Sequence, residues 1–218
     1  MNTLLKKPFT LAASVIIAGL MIGNASAQVI GNASAQSSVK GDKPMFEDLQ
    51  SPQFSGGKQK NGFKPKDWLE IEAKLKVSTK PEPKTKSCDK LTVKWYVAVK
   101  NLEKPGTMML FTKDVEYVNI PLDEELYFSV YLSPSSIFRL TGRSLAGKSS
   151  VEGVGYEVLI DGEKVAEETT KWKVGWWAAA SDKISKSDVV PLLIKPQTPF
   201  ASMWWDRYAE VNEVNSAR

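Results

Sequence analysis

Between residues 91 and 100, Leu91, Val93, Trp95, Val97 and Val99 alternate with Thr92, Lys94, Tyr96, Ala98 and Lys100, the period of two imposed by a strand with one buried face. A slip of one residue would turn that whole apolar row to solvent, so the pattern sets the inward face, with Trp95 as its largest member. This stretch is expected to be a central strand of a two-sheet core. Residues 68–79 repeat the pattern, with Leu69, Ile71, Ala73, Leu75 and Val77 inward and Glu70, Glu72, Lys74 and Lys76 outward, the mark of an antiparallel sheet with one wet face. Leu126, Phe128, Val130 and Leu132 form a third row, and Val154, Tyr156, Val158 and Ile160 a fourth. Residues 108–120 read as a strand bent or bulged where the alternation shifts near Lys113, and 46–54 as a first strand or edge segment interrupted by Pro52.

The connections have their own signals. Asp161-Gly162 predicts a two-residue hairpin and Lys104-Pro105-Gly106 a turn, and Pro81 and Pro83 mark a loop at 79–89. Residues 134–142 predict a short helix that Gly142 ends. Residues 170–180 read as a last strand with Trp172, Val174, Trp176 and Ala178 on one face, and 189–194 as an edge strand broken by Pro191. In 199–212, Phe200, Met203, Trp204 and Tyr208 stand at helical spacing. Trp95, Trp172 and Trp176 are therefore expected in the core. The fold class is all-β, an antiparallel two-sheet sandwich of immunoglobulin or fibronectin type with one or two short helices. It spans residues 45–198, and a short helix and tail occupy 199–218.

The beginning of the chain is different. Residues 1–27 carry Lys6 and Lys7, an apolar run from 11 to 22, and Ala25-Ser26-Ala27, the order of a secretory signal peptide. That run is short of the roughly 20 residues a membrane span needs. The string IGNASAQ occurs at 22–28 and again at 30–36, so cleavage after Ala27 competes with cleavage after Ala35. A pilin-type leader is the other reading, because Lys7-Pro8-Phe9-Thr10-Leu11 partly echoes one, with Pro8 and Ala13 where a Gly and a Glu would stand. Residues 28–44 read as a flexible spacer. With the signal removed no transmembrane span remains, and the product is expected to be exported to the periplasm, outer membrane or cell surface.

Charge and chemistry narrow the class. The 218 residues hold 29 Lys+Arg against 25 Asp+Glu, and two of those lysines lie in the signal, so the mature protein is nearly neutral. This composition and export exclude a nucleic-acid partner. The balance is uneven, with Lys in excess over residues 58–104 and acids in excess beyond, which describes either a solvated surface or charge-complementary self-association. Cys88 is the only cysteine, so no intrachain disulfide forms; the thiol is shielded or links two copies.

With no histidine in the chain, Ser-His-Asp and Cys-His catalysis and His-ligated metals are excluded. One cysteine cannot build a sulfur-ligated zinc site. Ser55 and Lys58 have a Ser-x-x-Lys spacing, but the further elements of that chemistry are missing. Glu124-Glu125 and Glu167-Glu168 point to opposite faces of a strand, and Glu70 with Glu72 reads as solvated sheet surface. The chain is expected to be no enzyme and to need no cofactor or metal.

Seven tryptophans are more than such a core requires. Trp177 faces away from Trp172 and Trp176 in a regular strand, and Trp204 and Trp205 cannot both point inward from one helix. Trp177, Trp204 and Trp205 are the candidate partner-binding residues, as an exposed aromatic platform for a protein or a glycan ring. The other reading has the C-terminal segment covering Trp177 in a satellite cluster.

Residues 46–57, FEDLQSPQFSGG, and 61–73, NGFKPKDWLEIEA, resemble the small pilus-associated immunoglobulin-like proteins encoded beside type IV pilus-like genes in mucin-degrading gut verrucomicrobia. The resemblance runs from Phe46 to the Trp204-Trp205 tail. It implies an immunoglobulin-like sandwich similar to archaeal type IV pilus domains, at the envelope or surface, with no catalytic residues to carry over. The departures from a pilin leader favour an accessory of the pilus or secretion machinery, acting through protein partners or self-association. A carbohydrate- or mucin-binding module using exposed tryptophans is the alternative, and a filament subunit the third reading.

Overall fold

The computed structural model describes residues 36–53, 64–143 and 147–216; the leader, its two cleavage sites and the Ser55/Lys58 pair lie outside the described residues. The chain forms β1 (Gln36–Gly41), β2 (Met45–Gln50), β3 (Asp67–Lys80), β4 (Ser87–Lys100), β5 (Met108–Pro121) and β6 (Glu125–Leu132), then α1 (Pro134–Thr141). It continues through β7 (Val151–Ile160), β8 (Glu163–Thr169), β9 (Ile184–Lys186), β10 (Leu193–Ile194), β11 (Glu210–Val211) and a last helical turn, α2 (Glu213–Ser216).

Two sheets result. One has the order β1-β3-β6-β10, with β2 also on β3; the other has β11-β5-β4-β7-β8, with β9 on β5. Among the described residues the strand pairings are antiparallel except the short parallel β5–β9 contact, and an isolated parallel bridge joins Tyr127 to Tyr208. The all-β sandwich is therefore as the alternation required, and β4 is a central strand flanked by β5 and β7. The inward rows of β3, β4, β6 and β7 meet in one core in which Trp95 is fully buried. Trp95 Nε1 has no hydrogen-bond partner among the described residues.

Local chemistry explains the connections. Asp161 (φ 52°) and Gly162 (φ 83°) both take positive φ in the β7–β8 hairpin, as a type I′ turn requires. In α1 the Ser133 hydroxyl accepts the Ser136 N–H at its start, and Gly142 closes it at φ 68°.

Four expectations are corrected. β1 lies within the stretch expected as spacer: it and β2 run end to end along β3, and the Tyr156 hydroxyl ties the chain at Asp42 by a 2.8 Å bond to its carbonyl. The β4–β5 register runs unshifted past Lys113; the alternation changes because Leu110, on the outer face, is buried as well. What covers it is the segment 170–180, which makes turns rather than a strand, with Trp172 (φ 65°) and Gly175 (φ 84°) in the left-handed region. Residues 199–209 likewise form turns instead of a helix, with Trp204 at φ 53°.

The tryptophans are redistributed accordingly. Trp176 and Trp177 are both buried, at 8% and 6% exposure, but with Ala98 and Leu110 in a satellite cluster on the outer face of the six-stranded sheet. Trp177 stacks on Tyr96 at 4.6 Å, and Trp176 Nε1 donates to the Thr169 hydroxyl at 2.9 Å. Trp172, expected in the core, is 41% exposed. In a regular strand adjacent residues point to opposite faces; the turn releases the chain from that rule, so Trp176 and Trp177 are both buried against the sheet, while Trp172 rests on Gly153 and stays partly exposed.

Candidate functional site

The outer face of the five-stranded sheet carries Trp68, Glu70 and Glu72 from β3 and Ser129 and Tyr131 from β6, where Glu70 is registered with Tyr131 and Glu72 with Ser129. A wet face was expected here. Instead the segment 199–209 lies on it, and three side chains hold it down. Phe200, 1% exposed, meets Trp68 edge-on at 6.0 Å and stacks on Tyr131 at 5.8 Å. Arg207 Nη2 donates to both oxygens of Glu72, at 2.7 and 2.9 Å, and its guanidinium lies 3.7 Å from the centre of the Tyr127 ring. The Tyr208 hydroxyl donates to Glu70 at 2.8 Å, and Tyr131 donates to the same oxygen at 2.7 Å.

Charge is compensated within this network. Glu72 is 8% exposed; burial pushes its carboxyl up, and the Arg207 hydrogen bond pulls it back. Lys195, 7% exposed, donates to the Met203 and Ala201 carbonyls at 2.6 and 3.4 Å. Burial lowers its pKa, with the Glu70 charge acting the other way. Such a buried set is stable only when every member is partnered.

This anchoring presents two indoles to solvent. Trp204 stacks with one side toward Phe200, at 6.2 Å and 20°, and is 45% exposed; Trp205 is 71% exposed, with Lys195 Nζ 5.5 Å from its ring centre. Left-handed φ in a bulky aromatic residue is unfavourable and persists only where the surroundings enforce it. At Trp204 those surroundings are the Phe200 contact and the bond from Arg207 N–H to the Trp204 carbonyl. An exposed aromatic pair on an anchored backbone is suited to the centre of an interface.

Of the expected partner-binding residues, Trp204 and Trp205 therefore stand together on the surface. Trp177 lies with the other sheet and is buried, because Gly155 of β7 offers its ring a flat seat. The anchors Phe200, Arg207 and Tyr208 and their acceptors Glu70 and Glu72 were not singled out from the sequence for this role. The available signal was two carboxylates on an apparently wet face with an Arg-Tyr pair in the tail.

Beyond this segment the chain is held by Glu116, whose carboxylate accepts from the amides of Asn215 and Asn212 at 2.7 and 2.8 Å and pairs with Lys90 at 3.2 Å. The Asn215 bond, with Lys90 and Asn212, holds this carboxyl below the usual range. Its folded pKa is thus below its unfolded one, so its contribution is present above the ordinary value of 4.5 and lost as pH falls through the folded value. In a series of melting temperatures over roughly pH 6 to 3, Glu116→Gln is expected to flatten the acid limb relative to the parent protein; an unchanged limb would rule out this anchor.

Among the described residues there is no group of three or more metal-ligating side chains, and no helix long and apolar enough to cross a membrane.

A protein-family model matches residues 30–215 of the chain. A crystal structure of a protein from Akkermansia muciniphila superposes on it with a TM-score of 0.75 at 37% sequence identity, covering 83% of this chain and 95% of that one. No curated protein matches.

Proposed function

We propose, from the premise that the chain belongs to the family whose model spans residues 30–215, that it is an exported, non-enzymatic immunoglobulin-like domain. It acts by protein–protein contact in a type IV pilus-like or secretion assembly at the cell envelope. The observation that carries this reading is the Trp204-Trp205 pair, exposed yet held in place by a buried Phe200, Arg207 and Tyr208. A tail that served only to cover the sheet would direct its large apolar side chains inward, as Phe200 does.

The test is a photo-crosslinking amino acid placed at position 205 in the cell of origin. An adduct with a protein of the pilus or secretion machinery is expected from position 205 and not from the exposed position 189 on the loop before β10. Trp204→Ala and Trp205→Ala are expected to weaken that association by about 2 kcal/mol each, roughly thirtyfold. If instead the protein bound immobilised glycans and lost that binding in the same variants, the carbohydrate-binding reading would replace this one.

A further inference from the structure

At one end of the sandwich the loop between β4 and β5, the end of α1 and Trp172 enclose a cavity of about 600 Å³. Each wall is preorganised. In the loop the Asn101 side-chain oxygen accepts the N–H groups of Glu103 and Lys104 at 3.0 and 3.2 Å, and Gly106 takes φ 83°. This fixes Leu102 and Pro105. The left-handed Gly142 stops α1 directly after Leu140 and Thr141, with Leu102 beside it. Trp172 is held at φ 65° over Gly153, where a Cβ would collide with its ring, and against Trp176 edge-on at 5.0 Å.

The walls are mainly apolar, from Leu102, Pro105, Met108, Leu140 and Trp172, and the larger side chains at the mouth stay in contact with water: Leu102 is 61% and Trp172 41% exposed. The charged lining residues are Lys100, Arg143 and Glu152. Glu152 is shared by two ammonium groups, Lys100 at 3.4 Å and Lys171 at 2.9 Å, and Lys171 Nζ also stands 5.1 Å from the Trp172 ring centre. The lining thus holds one carboxylate against the cations Lys100 and Arg143, with Lys171 paired to that carboxylate, and the mouth carries net positive charge.

We infer that this cavity binds an amphipathic organic anion, with an apolar body of roughly ten to twenty non-hydrogen atoms between the apolar walls and a carboxylate or sulfate at Lys100 and Arg143. The site is separate from Trp204 and Trp205, so neither reading depends on the other.

The test titrates the mature protein with 8-anilinonaphthalene-1-sulfonate, laurate and dodecyltrimethylammonium, all below micelle formation. Saturable binding of the sulfonate and its one-for-one displacement by laurate are expected, with the cationic chain weaker by about tenfold or more. Leu102→Glu and Arg143→Glu, both at exposed positions, are each expected to weaken laurate by about tenfold with the melting temperature unchanged, and Trp205→Ala to leave it unchanged. The inference is overturned by equal binding of the cationic and anionic chains, by insensitivity to both charge substitutions, by loss of binding in Trp205→Ala, or by no saturable binding of either anion.

Discussion

Phe200→Ala is expected to lower the stability of the domain by about 3 kcal/mol and to weaken partner association at least as much as Trp205→Ala does, although it leaves both exposed indoles in the chain. Phe200 is the apolar plug of the tail, almost fully enclosed between Trp68, Tyr131 and Trp204. Its removal leaves a cavity bordered by a carboxylate network, because Tyr131 donates to Glu70, and Glu70 also accepts from Tyr208. Trp204 then loses the ring that holds its left-handed backbone, and Trp205 loses its fixed direction. Phe200→Leu retains most of the volume and is expected to cost about 1 kcal/mol. Urea unfolding with tryptophan emission checks both. An association unaffected by Phe200→Ala would mean that the tail need not be ordered to bind, and the anchored-platform argument would fail.

The second large effect is expected at Gly155. A Cβ on this residue would meet Cζ3 and Cε3 of Trp177, the latter at 2.6 Å, which no ordinary packing tolerates. The ring has nowhere to retreat: it lies nearly parallel to Tyr96, 8° between planes, and edge-on to Trp176 at 5.6 Å. Gly155→Ala is therefore expected to destabilise by about 3 kcal/mol, the upper part of the range for overpacking. The double variant Gly155→Ala/Trp177→Ala distinguishes the cause. With the ring gone, the added methyl is expected to cost nothing or to stabilise slightly, since Ala is favoured over Gly in a strand. A double-mutant cycle then yields a coupling of about 3 kcal/mol; additive effects would show that the strand, and not the Trp177 seat, requires glycine.

Both predictions concern segments whose fate was not legible in the sequence. Strands β3, β4, β6 and β7 were, because burial of one sheet face writes a period of two directly into the residues, and that period survives whatever else the fold does. The β7–β8 hairpin and α1 were legible for an equally local reason: positive φ selects Gly and Asp at the turn, and a Ser start with a Gly stop brackets the helix. Trp95 followed from its place in the middle of the alternating row of β4.

The aromatic segments 170–180 and 199–209 were misread as strand and helix because their spacing suited those periods. Their actual course is decided by partners far away in the chain: Gly153 and Gly155 for the first, Glu70, Glu72 and Tyr131 for the second. The sequence by itself determined a two-sheet sandwich, the inward face of its main strands and a surplus of tryptophan. Which of the tryptophans outside the main strands were to be buried was decided only by the tertiary structure, because it depends on what distant strands offer: Gly155 gives the Trp177 ring a flat seat and the Thr169 hydroxyl accepts from Trp176, while Trp172 on Gly153 stays partly exposed. Trp204 and Trp205 have no such seat, and the anchors on either side of them hold them at the surface.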